Sequence, residues 1–264
     1  MTEEKKSYAL ITGASAGLGK AIATELAGRG HNLVLVALPD TGLEGFCGKL
    51  SENHGIAAHC LEADMTLPET PFLIKNFTSS EGIAIAILIN NVGVGYGGAI
   101  GTYSGPHISD TIFLNLRCTT LLTNLFIEDL KSHPEAYILN MGSFSGFGPL
   151  PFKSIYAASK AYIYNFSLSV GEELKDTGVK VSVAMPGPVK TNAKVLERIN
   201  STGPLASKTA MEVDEAAKEI ISQMFRGKRV IVPGRAYKFF HAVAMVIPYG
   251  LVLLMTRNTF KGID

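Results

Sequence analysis

A chain of 264 residues lies within the range of a single α/β domain, and 24 Lys+Arg against 23 Asp+Glu leave a net charge of +1. That balance offers no basic footprint for a nucleic-acid backbone and no acidic tail, while 47% hydrophobic and 18% charged residues exclude disorder. Cys47, Cys60 and Cys118 are odd in number, widely spread and outside any Cys-x-x-Cys, which excludes a disulfide framework or four-cysteine zinc site and favours a reducing compartment.

The chain opens on a charged stretch that leads into a short apolar run ending at Thr12-Gly13, too short for a secretory signal, so a cytoplasmic protein is expected. Short β-rich apolar runs follow at 8–12, 32–38, 56–61, 83–90, 136–141, 179–185 and 229–232. Between them, helical spacing is found at 18–29, 43–53, 68–78, 107–131, 155–176 and 213–226. Strand runs that are continuously apolar rather than alternating belong to strands buried on both faces. The predicted architecture is therefore one doubly wound, Rossmann-type parallel sheet of about seven strands flanked by helices.

No repeat, low-complexity tract or charge block marks a linker, so residues 1–264 read as one domain with 234–264 as an apolar C-terminal helical extension. Within that extension 239–255 is almost wholly apolar. It is nevertheless shorter than the roughly 20 residues of a spanning helix and is interrupted by His241, Pro248 and Gly250. Cover for an apolar substrate site and contact with a membrane surface or a second subunit are the roles that suit it better than a span.

Ligands of doubly wound sheets sit beyond the carboxyl ends of the strands. The first such position holds Thr12-Gly13-Ala14-Ser15-Ala16-Gly17-Leu18-Gly19, running straight into a helical pattern. Glycines allow a tight turn and close backbone approach, and a helix N-terminus presents free N–H groups to a pyrophosphate. Gly13, Ser15, Gly17, Leu18 and Gly19 are therefore candidate dinucleotide contacts, although glycines also serve ordinary turns and helix packing.

The Gly-x-x-x-Gly-x-Gly spacing resembles the turn of the short-chain dehydrogenases/reductases, and other motifs follow in order: Asn90-Asn91-Val92-Gly93 after the fourth strand, Asn115 in the next helix, Ser143 after the fifth strand, Tyr156-Ala-Ala-Ser-Lys160 opening a helix, and Pro186-Gly187-Pro-Val-Lys-Thr191 after the sixth strand. The resemblance implies an enzyme that moves a hydride between a nicotinamide cofactor and a ketone or secondary alcohol, with Asn115, Ser143, Tyr156 and Lys160 as the catalytic set. Tyr156 and Lys160 stand at i and i+4 on one helix face, so the ammonium can favour the phenolate of a group that otherwise titrates near about 10. Tyr156 would then exchange the proton of the reacting oxygen while Ser143 hydrogen-bonds it. By resemblance Lys160 also holds the nicotinamide ribose, and Asn115 places a water that links Lys160 to solvent.

Further contacts are carried over from the family: Asp64 to the adenine, Asn90 and Gly93 beside its ribose, and Pro186, Gly187, Val189 and Thr191 near the nicotinamide. Strand two ends Val36-Ala37-Leu38, where the family's NAD-selective Asp is replaced by Ala37 and its NADP-selective Arg by Leu38. With no carboxylate to repel a 2′-phosphate, NADP(H) is favoured over NAD(H). Val92 and the apolar tail resemble the branch of 3-oxoacyl-CoA reductases, hydroxysteroid dehydrogenases and 3-ketosphinganine reductases, which implies a small apolar carbonyl substrate. Val94, Tyr96, Phe144, Phe147, Leu150 and Phe152 could line its pocket or pack as core or subunit contacts. A homodimer or homotetramer is expected by resemblance only. Cys47, His54, His59 and Cys60 fit no zinc spacing, so no metal is expected. A non-catalytic NAD(P)-binding sensor or scaffold is the alternative, and the full catalytic set argues against it.

Overall fold

Residues that are apolar at every position must be covered on both faces, and a sheet between two helical layers does this. A computed structural model describes residues 7–244 and 247–257. Met245 and Val246, within the apolar run, and 258–264 of the extension lie outside the described residues. The strands are β1 (Ser7–Thr12), β2 (Asn32–Ala37), β3 (Ala58–Glu62), β4 (Ala84–Asn90), β5 (Ala136–Met141), β6 (Val179–Ala184), β7 (Val189–Lys190), β8 (Met211–Glu212) and β9 (Val230–Ile231). Among the described residues seven form one parallel sheet in the order β3-β2-β1-β4-β5-β6-β9, while β7 and β8 pair separately. β2 and β5 are buried along their whole length.

The helices are α1 (Gly17–Gly28), α2 (Leu43–His54), α3 (Thr70–Ser80), α4 (Gly105–Asp110), α5 (Cys118–Lys131), α6 (Ser154–Glu173), α7 (Ala193–Thr202), α8 (Pro204–Thr209), α9 (Val213–Phe225), α10 (Arg235–Ala244) and α11 (Tyr249–Thr256). Strand alternation distributes the core to both faces of the sheet. Ala9, Ile11, Leu33 and Leu35 pack with Ile22 and Leu26 of α1 and Ile220 of α9. Leu10, Val34 and Leu88, pointing the other way, pack with Ile74 of α3 and Leu122 and Phe126 of α5. The chain reverses direction across the sheet between β1 and β4, so the ends of these neighbouring strands open the crevice in which a ligand can lie.

Two differences from the sequence reading stand out. The single helix expected over 107–131 is α4, a π-helical turn (Thr111–Arg117) and α5. A 3.6-residue apolar period carries no mark of one inserted residue, and such turns often mark functional sites. Residues 193–210, to which periodicity assigned nothing, form α7 and α8; Asn192 caps α7 by accepting from Val195 N at 2.9 Å. The helical extension expected after 234 is present: among the described residues it is α10 and α11, with Pro248, one of the expected interruptions, at the N-cap of the second.

Candidate active site

The end of β1 is stitched to the end of β4 by side chains. Thr12 Oγ1 accepts from the backbone N–H groups of Asn91 and Val92, both at 3.1 Å, and Asn91 Nδ2 donates to the carbonyls of Thr12 at 2.9 Å and Gly13 at 3.2 Å. Gly13 has φ +66°, and a Cβ there would sit 2.9 Å from Asn91 Nδ2; at Gly19 a Cβ would be 2.1 Å from the Gly13 carbonyl oxygen. These absent side chains let α1 start directly on the turn. No side chain caps α1 and its first turn has no acidic residue, so the N-terminal donors and their partial positive charge face the turn without a competing anion. Thr191 closes the other side, its Cβ 3.2 Å from where a Gly17 Cβ would be. Ser15 and Leu18 are half-buried in the same turn. A cradle of open backbone at an uncapped helix start fits a dinucleotide pyrophosphate.

Three of the four expected catalytic residues, Asn115, Lys160 and Tyr156, come together by close backbone approach at the next two glycines. A Cβ on Gly93 would lie 2.8 Å from Asn115 Oδ1 and 3.4 Å from Lys160 Nζ, and one on Gly95 would lie 2.9 Å from two ring carbons of Tyr156. Asn115, inside the π-helical turn and 1% exposed, accepts from Val94 N at 2.8 Å and donates to Val94 O and Ser159 Oγ, both at 2.9 Å. Ser159 in turn donates to the Tyr156 carbonyl at 2.7 Å. Lys160 is 6% exposed, and its Nζ donates to Met141 O at 2.8 Å and lies 5.9 Å from the Tyr156 ring centroid. Burial pushes its ammonium down to about 8. Ser143 follows β5 in extended backbone and its Oγ accepts from Ser145 N at 3.2 Å. Gly146 packs this segment on α6, since a Cβ there would be 2.7 Å from the Lys160 carbonyl.

Sequence reasoning missed Asn91, Ser159 and the Met141 carbonyl as supports of this set. The first two stand inside the quoted motifs and offered a signal; a backbone acceptor has no residue identity to read.

Asn90 is 3% exposed, and its amide donates to Asn140 Oδ1 at 2.8 Å and Thr123 Oγ1 at 3.2 Å. Its side chain therefore ties β4 to β5 and α5 rather than facing the crevice, so only its backbone is available there. Val189 is 8% exposed in the β7–β8 pair and is likewise limited to backbone contact. Asp64 is half-buried and accepts from Thr66 N and Oγ1 at 2.8 and 2.7 Å. Leu38, 53% exposed, closes β2 beside buried Ala37. Pro186 and Gly187 follow β6, and Phe144 N donates to Pro186 O at 2.8 Å. Phe144 and Phe147 pack against Ile163, Val183, Met185 and Val232, with Tyr237 and Tyr164 beside them. Both are half-buried, and one side of each seats the tail. A cleft of about 330 Å³ between α1 and α9 contains none of these residues.

α10 lies on that aromatic seat: Tyr237 is edge-to-face with Phe144 at 4.9 Å and His241 is 4.3 Å from Phe147. Phe239, Tyr249, Leu251, Leu253 and Leu254 of the tail are exposed. Among the described residues no helix is long and apolar enough to cross a membrane, and Cys47, Cys60 and Cys118 are unpaired.

Residues 7–201 match the family model described as short chain dehydrogenase. The very-long-chain 3-oxoacyl-CoA reductase of Pyrenophora tritici-repentis is 31% identical over 218 residues, covering 81% of this chain and 63% of that protein. The mouse 17-beta-hydroxysteroid dehydrogenase type 3 is 30% identical over 227 residues, covering 83% and 70%. A solved short-chain dehydrogenase from Sphingobium yanoikuyae in complex with NADPH superposes with a TM-score of 0.78 at 29% identity over 93% of this chain and 95% of that one. The chain thus spans about three fifths of the length of the first of these relatives.

Proposed function

Because the chain belongs to the short-chain dehydrogenase family, we propose that it is a nicotinamide-dependent oxidoreductase that reduces an apolar ketone to a secondary alcohol. The convergence of Asn115, Lys160 and Tyr156 on Gly93 and Gly95 carries this reading. When bound, the nicotinamide supplies the hydride. Gly13, Ser15, Gly17, Leu18 and Gly19 would hold the pyrophosphate, Asp64 and the backbones of Asn90 and Gly93 the adenosine end, and Pro186, Gly187, Thr191 and the Val189 backbone the nicotinamide end. Leu38, exposed at the end of β2, would stand toward the adenosine ribose. Tyr156 and Lys160 would meet the nicotinamide ribose.

Tyr156 donates the proton to the reacting oxygen, Ser143 Oγ hydrogen-bonds that oxygen, and the Lys160 ammonium stabilises the charge left on Tyr156. Asn115, tied to Val94 and Ser159, fixes the wall on which these groups stand. A non-catalytic dinucleotide binder would need the glycine turn but not a buried lysine, whose desolvation is costly unless its charge is used; that alternative finds no support.

NADP(H) is favoured over NAD(H) because Ala37 and Leu38 put no carboxylate at the end of β2. The similarity to a very-long-chain 3-oxoacyl-CoA reductase and a 17-beta-hydroxysteroid dehydrogenase supports a long-chain acyl or steroid ketone as substrate. The exposed apolar face of α10 and α11 serves as a peripheral membrane contact, and exposed Ile112 and Tyr162, on the helices of Asn115 and Tyr156, suit a homodimer or homotetramer. Unpaired cysteines accord with a cytoplasmic setting.

The test is Tyr156→Phe, which removes the proton and keeps the ring. Turnover of a 3-oxoacyl-CoA or a 17-ketosteroid should fall by about 10²- to 10⁴-fold while NADPH still binds in a fluorescence titration. Near-normal turnover contradicts the assignment, and binding of NADH with NADPH binding undetectable contradicts the cofactor preference.

A further inference from the structure

Gly187 has no side chain because an aromatic ring from the tail occupies that space. A Cβ on Gly187 would lie 2.4 Å from Cε2 and Cζ and 2.5 Å from Cδ2 of Tyr237. The same ring packs edge-to-face on Phe144 at 4.9 Å, and Phe144, next to Ser143, donates its N–H to the carbonyl of Pro186. Tyr237 therefore touches both segments that the proposed function places around the reacting groups: the turn after β5 that carries Ser143 and the Pro186–Gly187 turn after β6. The ring is held from behind. Glu219 of α9 accepts from Gly234 N at 2.9 Å and from Lys238 Nζ at 2.6 Å, fixing the start of α10 on either side of Tyr237. Its hydroxyl makes only a 3.5 Å contact with Thr209 Oγ1, so the ring and not the hydroxyl does the positioning.

We propose that Tyr237 is a positioning residue whose ring sets the separation of the Ser143–Phe144 and Pro186–Gly187 segments, which makes the first tail helix part of the active-site assembly rather than an appendage. The inference rests on the function proposed above. A misplacement of about 1 Å in such an assembly can cost on the order of 10²-fold in rate.

The experiment compares Tyr237→Phe, Tyr237→Ala, Gly187→Ala and the double variant Gly187→Ala/Tyr237→Ala by NADPH fluorescence titration and by kcat and KM for a long-chain 3-oxoacyl-CoA. Tyr237→Phe should stay within about twofold of the parent on every readout. Tyr237→Ala should weaken NADPH binding and lower kcat at saturating NADPH, each by about tenfold or more. Gly187→Ala should be comparably impaired because its new methyl displaces the ring, and the double variant should be no worse than Tyr237→Ala alone. If Tyr237→Ala fails to fold, Tyr237→Leu, which keeps volume but not the flat ring, replaces it in the same cycle. Unchanged NADPH affinity and kcat in Tyr237→Ala, equal damage in Tyr237→Phe, or strict additivity of the two alanine changes overturns the proposal. A parent protein that binds neither NADPH nor NADH overturns the proposed function instead, and that outcome is read before any variant is compared.

Discussion

Lys160 is a charged group that folding takes almost wholly out of water. Its ammonium is almost wholly buried and donates a hydrogen bond to the Met141 carbonyl, and desolvation brings it down to about 8 from an ordinary 10.5. The folded value is depressed, so the protonated form is the one that folding disfavours: the penalty is present in full below about 8 and is relieved as pH rises from there towards 10.5. Two consequences follow, with opposite signs. Reductive kcat/KM should be flat below pH 8 and fall about tenfold per unit above it, as the ammonium that supports proton donation by Tyr156 is lost. In urea unfolding, Lys160→Met should be more stable than the parent at pH 7, with the gap closing towards pH 10. A rate limb that does not move in Lys160→Arg, or a stability gap independent of pH, contradicts this account.

Among the elements, α10 is held at its first turn by one carboxylate. Burial of Glu219 opposes its charge, but the Lys238 ammonium, the Gly234 N–H and the Gln223 amide prevail and hold the carboxyl below its ordinary value. A depressed carboxylate contributes its stability above the unfolded value of 4.5 and loses it as pH falls through the folded value, so the anchor is intact at neutral pH and released only in acid. Glu219→Gln keeps the shape and removes the charge. At pH 7 hydrogen exchange of the α10 amides should then accelerate by roughly tenfold while α1 exchanges as before, in line with local opening of an element that has lost about 1 to 2 kcal/mol of charge-assisted hydrogen bonding. Equal acceleration in α1 and α10 would mean that Glu219 supports the whole α9 layer and not the tail.

For the molecule as a whole, two exposed apolar surfaces lie on different elements and should separate experimentally. Ile112 and Tyr162 belong to the helical region of Asn115 and Tyr156, whereas Phe239 and Leu254, 65% and 70% exposed, belong to the tail. The proposed function assigns the first to subunit contact and the second to a membrane surface. Tyr162→Glu with Ile112→Glu should lower the sedimenting mass without changing flotation on phosphatidylcholine/phosphatidylserine vesicles. Phe239→Ser with Leu254→Ser should abolish flotation at unchanged mass. Exchange of the two outcomes would assign the tail to subunit assembly.

What the amino-acid order settled by itself was the alternation of strand and helix, the parallel sheet and the motif residues, because a strand buried on both faces and a helix with one apolar stripe have periods that can be read directly. Local chemistry was equally legible: Gly13 and Gly19 in the turn, and Tyr156 and Lys160 one helical turn apart. The tertiary structure decided what depends on distant partners. Asn90 became a strand tie because Asn140 stands opposite it in the next strand, and Phe144 and Phe147 became the seat of the tail because α10 returns to cover them. The π-helical turn that brings Asn115 to Val94 leaves no periodic mark, and Tyr237 on Gly187 joins residues 50 apart in sequence. Packing and hydrogen bonding are decided by which atoms meet, and for residues far apart in the chain only the folded arrangement supplies that.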